Sequence, residues 1–135
     1  MNSTSRASLL LENKGDDRLI VFHHELWHAS VGAIIAESEF NVKDKEVLNA
    51  VKYHTTGRAG MSKLEKIIYV ADMIEPGRDF PSVVQLRELA TESLEDAMGA
   101  CIQQSVQLLV KKGVPVFPDS IDCYNEHGMK HGIVN

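Results

Sequence analysis

Cysteine is nearly absent: Cys101 and Cys123 are the only two in 135 residues, and neither belongs to a C-x-x-C pair. Two isolated thiols cannot staple a small secreted domain or build a four-sulfur metal site. The expectation is a soluble, cytoplasmic protein with both thiols reduced. Long apolar runs are missing too, since none approaches the roughly 18 residues of a membrane-spanning helix. The first residues show no signal-type apolar core, and no membrane partner is expected. Positive charge is scarce: 14 Lys and Arg stand against 19 Asp and Glu, a formal net charge of -5. That balance argues against a nucleic acid polymer as partner, because such binding rests on neutralising many phosphates. A small anion held by a few local cations is not excluded by it. Finally, no stretch alternates apolar and polar residues as a half-buried strand would.

What is present is helical periodicity in a chain that is 44% apolar, enough for one compact domain. Met1 to Ser8 are small and polar, and residues 1–22 read as a frayed lead-in ahead of a helical domain over 23–125, with a loose tail over 126–135. Glu25 to Glu39 carries Leu26, Val31, Ile34 and Ile35 with the small Ala29, Gly32 and Ala36, which suits a helix packed closely on a neighbour. Asp44 is placed as an N-cap, followed by an inner face of Val47, Ala50, Val51 and His54. Gly57 to Gly60 interrupt the chain. Ser62-Lys63-Leu64-Glu65 then forms a capping box, and the inner face of its helix reads Leu64, Ile67, Ile68 and Ala71, with Asp72 beside it. Pro76-Gly77 ends that helix. A short helix follows over Val83 to Ala90. A long one runs from about Ser93 to Lys112, with Leu94, Ala97, Met98, Cys101, Ile102, Ser105, Leu108 and Leu109 on one stripe and Gly113 as its C-terminal stop. Pro115 and Pro118 stiffen the next segment, and Asp119 is placed as the cap of a last turn reaching Asn125. The predicted fold class is all-α.

Two constellations carry chemistry. His24-Glu25-Leu26-Trp27-His28 is a literal H-E-x-x-H, in which His24 and His28 would share a helix face and hold zinc while Glu25 acts as general base of a metallopeptidase. The extended form of that motif is not met, because Val31 and Ile34 stand where a glycine and a third histidine would be. The second constellation is Tyr53-His54-Thr55-Thr56-Gly57-Arg58 together with Ala71-Asp72-Met73-Ile74-Glu75-Pro76-Gly77-Arg78. Each fragment sets a metal or phosphate ligand at the end of a periodic segment, with turn residues and an arginine behind it. Asp72, a charged residue on an inward apolar stripe, needs a cation, either a metal ion or an arginine such as Arg58 or Arg78. Hydroxyl and backbone N-H groups at the glycine turn after His54 suit a phosphate, and Arg78 suits a phosphate clamp.

Taken in order, His24-Glu25-Leu26-Trp27-His28, Tyr53-His54-Thr55-Thr56-Gly57-Arg58, Met61-Ser62-x-Leu64-Glu65-Lys66-Ile67, Ala71-Asp72-x-Ile74-Glu75-Pro76-x-Arg78-Asp79-Phe80-Pro81 and Arg87-Glu88-Leu89-Ala90 resemble the YqeK-type HD-domain hydrolases, a bacterial family of symmetrical diadenosine tetraphosphatases. The resemblance spans about His23 to Asn125. It implies a helical, phosphodiesterase-like HD fold, cleavage of diadenosine tetraphosphate into two ADP, and a dinuclear centre of divalent or trivalent metal, iron in type. It also implies that His28, His54 and Asp72 are catalytic, with Asp72 the last metal ligand. His28, His54, Thr55, Asp72 and Arg78 would line the phosphates. Gly113, Val114, Pro115, Val116, Phe117 and Pro118 would border the nucleotide. The family's first histidine and its adjacent His-Asp pair precede the segment matching His23, whereas this chain has no His-Asp dipeptide and no histidine before His23. The expectation is therefore the C-terminal portion of the fold, carrying half of the site. A non-catalytic nucleotide-binding or dimerising remnant is the alternative, with homo-oligomerisation covering apolar faces that the absent helices would otherwise cover.

Overall fold

The computed structural model describes residues 24–128, with side chains from Gly32 onward. The lead-in over 1–22, most of the tail, and the side chains of His24, Glu25 and His28 lie outside the described residues. Among the described residues six helices follow in order: α1 His24–Glu39, α2 Lys45–Tyr53, α3 Lys63–Ile74, α4 Val83–Glu92, α5 Leu94–Lys112 and α6 Pro118–His127. No strand occurs among the described residues, in keeping with the all-α expectation.

The helix ends follow from local chemistry. α1 stops because Asn41 takes a left-handed conformation at φ 55°, which lets Val42 N-H close back on the Ala36 carbonyl at 2.9 Å, with Asn in the left-handed place that glycine more often takes. Asp44 caps α2, its Oδ1 accepting from Glu46 N at 2.9 Å and Val47 N at 3.4 Å. The capping box at Ser62 and Glu65 is formed in both directions. Ser93 caps α5, and Gly113 ends it at φ 70°. α6 begins one residue before the predicted Asp119 cap, with Phe117 at the cap position and Pro118 as the first helical residue, where a missing N-H leaves nothing unsatisfied. α6 also runs through Glu126 to His127, past the predicted start of the tail, and Glu126 accepts a bond from Gly60 N at 2.8 Å.

α1 rests on α2 and α2 on α3; α3 packs on α4 and α5, α4 on α5, and α5 on α6. α5 is the axis of the core. Ala97, Met98, Cys101 and Ile102 are fully buried against Met61, Tyr69, Val70, Leu86 and Cys123. Gly32 makes the close approach expected of a small residue in α1, since a Cβ there would lie 3.5 Å from Val51 Cγ1.

Three predicted faces need correction. α3 buries Glu65, Tyr69 and Val70, not the stripe of Leu64, Ile67, Ile68 and Ala71; Ile67 and Ile68 remain 41% and 38% exposed. The reason is that the polar ends of Glu65 and Tyr69 are satisfied inside, Tyr69 by Ser105 Oγ at 3.1 Å, so these two residues take the core positions. In α2, Ala50 is buried but Val47 is 40% exposed. In α5, Val106 takes the inward place of Leu108, which is 45% exposed. Both thiols lie in this core, and burial pushes each up to about 12. At pH 8 neither Cys101 nor Cys123 should react with Ellman's reagent in the native protein, and both should react in denaturant. Rapid native labelling would contradict the packing described.

Candidate functional site

The first arm of the site is the end of α2. His54 is its C-cap residue, and His54 Nδ1 lies 2.6 Å from the Val51 carbonyl oxygen. A carbonyl can only accept, so Nδ1 carries a proton, and in the neutral ring the lone pair is then on Nε2. Thr55 is exposed, while Thr56 and Gly57 are buried. Gly57 sits at φ 70°, and a Cβ there would fall 2.8 Å from Cys123 Sγ and 3.6 Å from Tyr69 Cε2. Only glycine meets both demands. The turn after His54 therefore packs against the buried Tyr69 ring of α3. α6 holds this turn from the other side, with Ser120 Oγ donating to the Thr56 carbonyl at 2.7 Å.

Arg58, the next residue, sets the height of the turn. Its Nε and Nη2 meet Glu65 Oε1 and Oε2 at 2.8 and 2.9 Å, a two-pronged pair in which the Glu65 side chain is 2% exposed and that of Arg58 31%. The guanidinium also lies over the Tyr53 ring, 4.6 Å from its centroid. Burial is the largest influence on Glu65 and acts to raise its pKa. Bonds from Arg58 and Ser62 together with the Arg58 charge outweigh burial and hold the carboxyl below its ordinary value. The bond to Glu65 likewise raises Arg58. Sequence reading found Glu65 only as a helix cap; its second role depends on Arg58, seven residues away.

The second arm is the end of α3. A helical Asp72 carbonyl would accept from the backbone N-H four residues on, but that residue is Pro76, which has none. Arg78 Nε takes the vacated acceptor at 3.1 Å, and Arg78 Nη2 reaches Asp72 Oδ2 at 3.3 Å. The pair is half exposed, 48% for Arg78 and 45% for Asp72, so the predicted desolvation demand on Asp72 is mild and an arginine already meets it. Arg78 N-H closes the turn on the Glu75 carbonyl at 2.9 Å.

The structure thus brings His54 and Thr55 to one side of α3 and Asp72 and Arg78 to its C-terminal end. Among residues 113–118, Gly113, Val114 and Pro115 are exposed, Val116 is half-buried, and Pro118 starts α6 beside the Thr56 turn. Phe117 is 3% exposed and part of the core, so its side chain offers no face to a nucleotide. The described residues contain no group of three or more His, Cys, Asp and Glu able to hold a metal ion. One half-exposed carboxylate already paired with Arg78, and one imidazole, do not fit a dinuclear centre on their own.

Comparisons with known proteins show the family. Residues 5–77, more than half of the chain, match the family described as HD domain, and the chain belongs to that family. The match starts within the predicted lead-in and ends just past Pro76. The chain is 45% identical over 117 residues to the symmetrical bis(5'-nucleosyl)-tetraphosphatase of Bacillus subtilis, covering 87% of this chain and 63% of that protein. It is 39% identical over 119 residues to the protein of the same name from Halalkalibacterium halodurans, covering 88% and 64%. It is similar in structure, with a TM-score of 0.77 and 36% identity over 90% of this chain and 66% of the other, to a predicted HD superfamily hydrolase involved in NAD metabolism from Clostridium acetobutylicum. The chain spans less than two thirds of the length of these relatives. HD-domain hydrolases are metal-dependent, and family membership takes the place of the zinc-peptidase expectation drawn from H-E-x-x-H.

The Glu65 pair makes a testable statement. Glu65→Gln should lower unfolding free energy at pH 7 by about 1–3 kcal/mol, the cost of leaving a buried charge without its partner, reduced because Arg58 is partly solvated. Because the folded carboxyl lies below its ordinary value of 4.5, this contribution is full above that pH and is lost as pH falls through the folded value. The gap between wild type and variant in denaturant titrations should close in acid. A gap that persists unchanged there would refute the assignment.

Proposed function

We propose that this protein serves the symmetrical hydrolysis of diadenosine tetraphosphate to two ADP. The observation that carries the reading is the Asp72–Arg78 pair at the end of α3, with the helix that ends at His54 packed on α3, in a segment closely similar to two proteins named for that activity. Water adds across the central anhydride: one phosphorus gains the hydroxyl, the P-O bond to the other half breaks, and the departing ADP oxygen takes the proton. Arg78 meets the phosphates with a charge-assisted donor fork, and Thr55 offers a solvent-facing hydroxyl. His54, with Nδ1-H tied to Val51, presents Nε2 to accept a proton and return it to the leaving oxygen. A divalent metal, iron by resemblance, would supply further positive charge to the phosphates, and Asp72 is the carboxylate it would use. Asp72 alone does not complete such a centre.

A second reading, nucleotide binding without turnover, is favoured by one observation: Arg78 already occupies the carboxylate a metal would need. The two are separated with the full chain, supplied with iron or manganese and diadenosine tetraphosphate, by chromatographic analysis of products and metal content. The first reading expects ADP as the sole nucleotide product, with Asp72→Ala losing metal and activity together and Arg78→Ala weakening substrate use about 10- to 100-fold, the worth of a charged hydrogen bond. AMP and ATP as products would overturn it. No product and no metal, with ADP still bound, would leave the second.

A further inference from the structure

We propose that Arg87 is the positioning residue for Arg78, and that it fixes where the phosphate clamp stands before any ligand arrives. The terminal carbonyls of α3 cannot be satisfied within the helix, and Pro76 removes one more donor. Arg87, on α4, answers this end with a single guanidinium. Its Nε donates to the Ile74 carbonyl at 3.0 Å, and its Nη2 donates to the carbonyls of Glu75 and of Arg78, both at 3.0 Å. Three acceptors on both sides of Pro76-Gly77 therefore converge on one rigid, planar group, a geometry an ammonium cannot copy. One of those acceptors is the backbone of Arg78 itself.

The consequence is directional. Arg87 fixes the main chain at both ends of the Glu75-Pro76-Gly77-Arg78 turn, and the Arg78 side chain then folds back with Nε on the Asp72 carbonyl and Nη2 on its carboxylate. Leu86, the neighbour of Arg87 in α4, is buried at 5% exposure, so the donor stands on an element anchored in the core. Without Arg87 the turn's main chain keeps Arg78 N-H to Glu75 O and the bond from Gly77 N-H to the Glu75 carboxylate at 3.0 Å, and the Arg78 side chain keeps its half-exposed contacts with Asp72 and Glu75. Arg78, half exposed, would then sample many rotamers, and each phosphate encounter would have to reorder it.

The nucleotide half of this inference rests on the proposed function; the positional half does not, and the experiment keeps them apart. In the full chain, the Arg78 Nε-H signal is identified in a proton–nitrogen correlation spectrum by its loss in Arg78→Lys. It should be distinct and slowly exchanging in the wild type, and should collapse to the solvent-exposed position in Arg87→Ala while far-ultraviolet circular dichroism stays helical. Arg87→Lys should restore it only in part. ADP affinity by calorimetry should fall about tenfold in Arg87→Ala and in Arg78→Ala, with the double variant no weaker than either, as expected when two residues act through one group. An unchanged Arg78 signal in Arg87→Ala, additive losses of affinity, or failure of both Arg87 variants to fold would overturn the positioning role. If the wild type binds no ADP, the functional reading fails, and the Arg78 signal alone decides the inference.

Discussion

The two-pronged contact between Arg58 and Glu65 is the interaction on which the placement of the His54 arm against α3 depends. It joins the loop after His54 to the first turn of α3, and the same carboxylate closes the capping box by accepting from Ser62 N at 3.0 Å. Buried pairs of this kind contribute less to net stability than to uniqueness, because desolvation offsets much of the attraction. Here the specific gain is register. With Arg58 tied to Glu65 and stacked on Tyr53, Gly57 is brought against Tyr69 and Cys123, and the His54 turn has one height along α3.

The far end of α3 uses backbone chemistry instead of a buried charge. Pro76 both stops the helix and orphans the Asp72 carbonyl, and that single vacancy is what recruits Arg78. Arg87 then closes the remaining carbonyls. The acid and the base of the second arm are thus placed by the peptide groups around them, which leaves their charged ends half in solvent and open to exchange partners. α3, capped at one end and clamped at the other, is the element through which the arms communicate.

Much of this was legible in the chain. Asp44, Ser62, Ser93, Pro76 and Gly113 mark their helix ends because each acts within a few residues, and the all-α fold follows from them. The orientation of α3 was not legible, since hydropathy counts Glu65 and Tyr69 as outward, and only tertiary partners, Arg58 and Ser105, make them inward. The pairing of Asp72 was foreseen as a choice between a metal ion and an arginine. Nothing local to Arg87 hints at its three carbonyls, because they belong to the end of α3 and the turn after it, nine to thirteen residues earlier. Phe117 was assigned to a nucleotide border by resemblance, yet the start of α6 folds it into the core.

The proposed function makes one central claim: a nucleotide phosphate is held between the His54–Thr55 turn and Arg78. The most direct test is a crystal structure of the full chain with a non-hydrolysable diadenosine tetraphosphate analogue. The account predicts phosphate oxygens within hydrogen-bond distance of His54 Nε2 and of the Arg78 guanidinium, with Arg87 still on its three carbonyls. A nucleotide bound elsewhere, with Arg78 unmoved on Asp72 and no phosphate at His54, would contradict it.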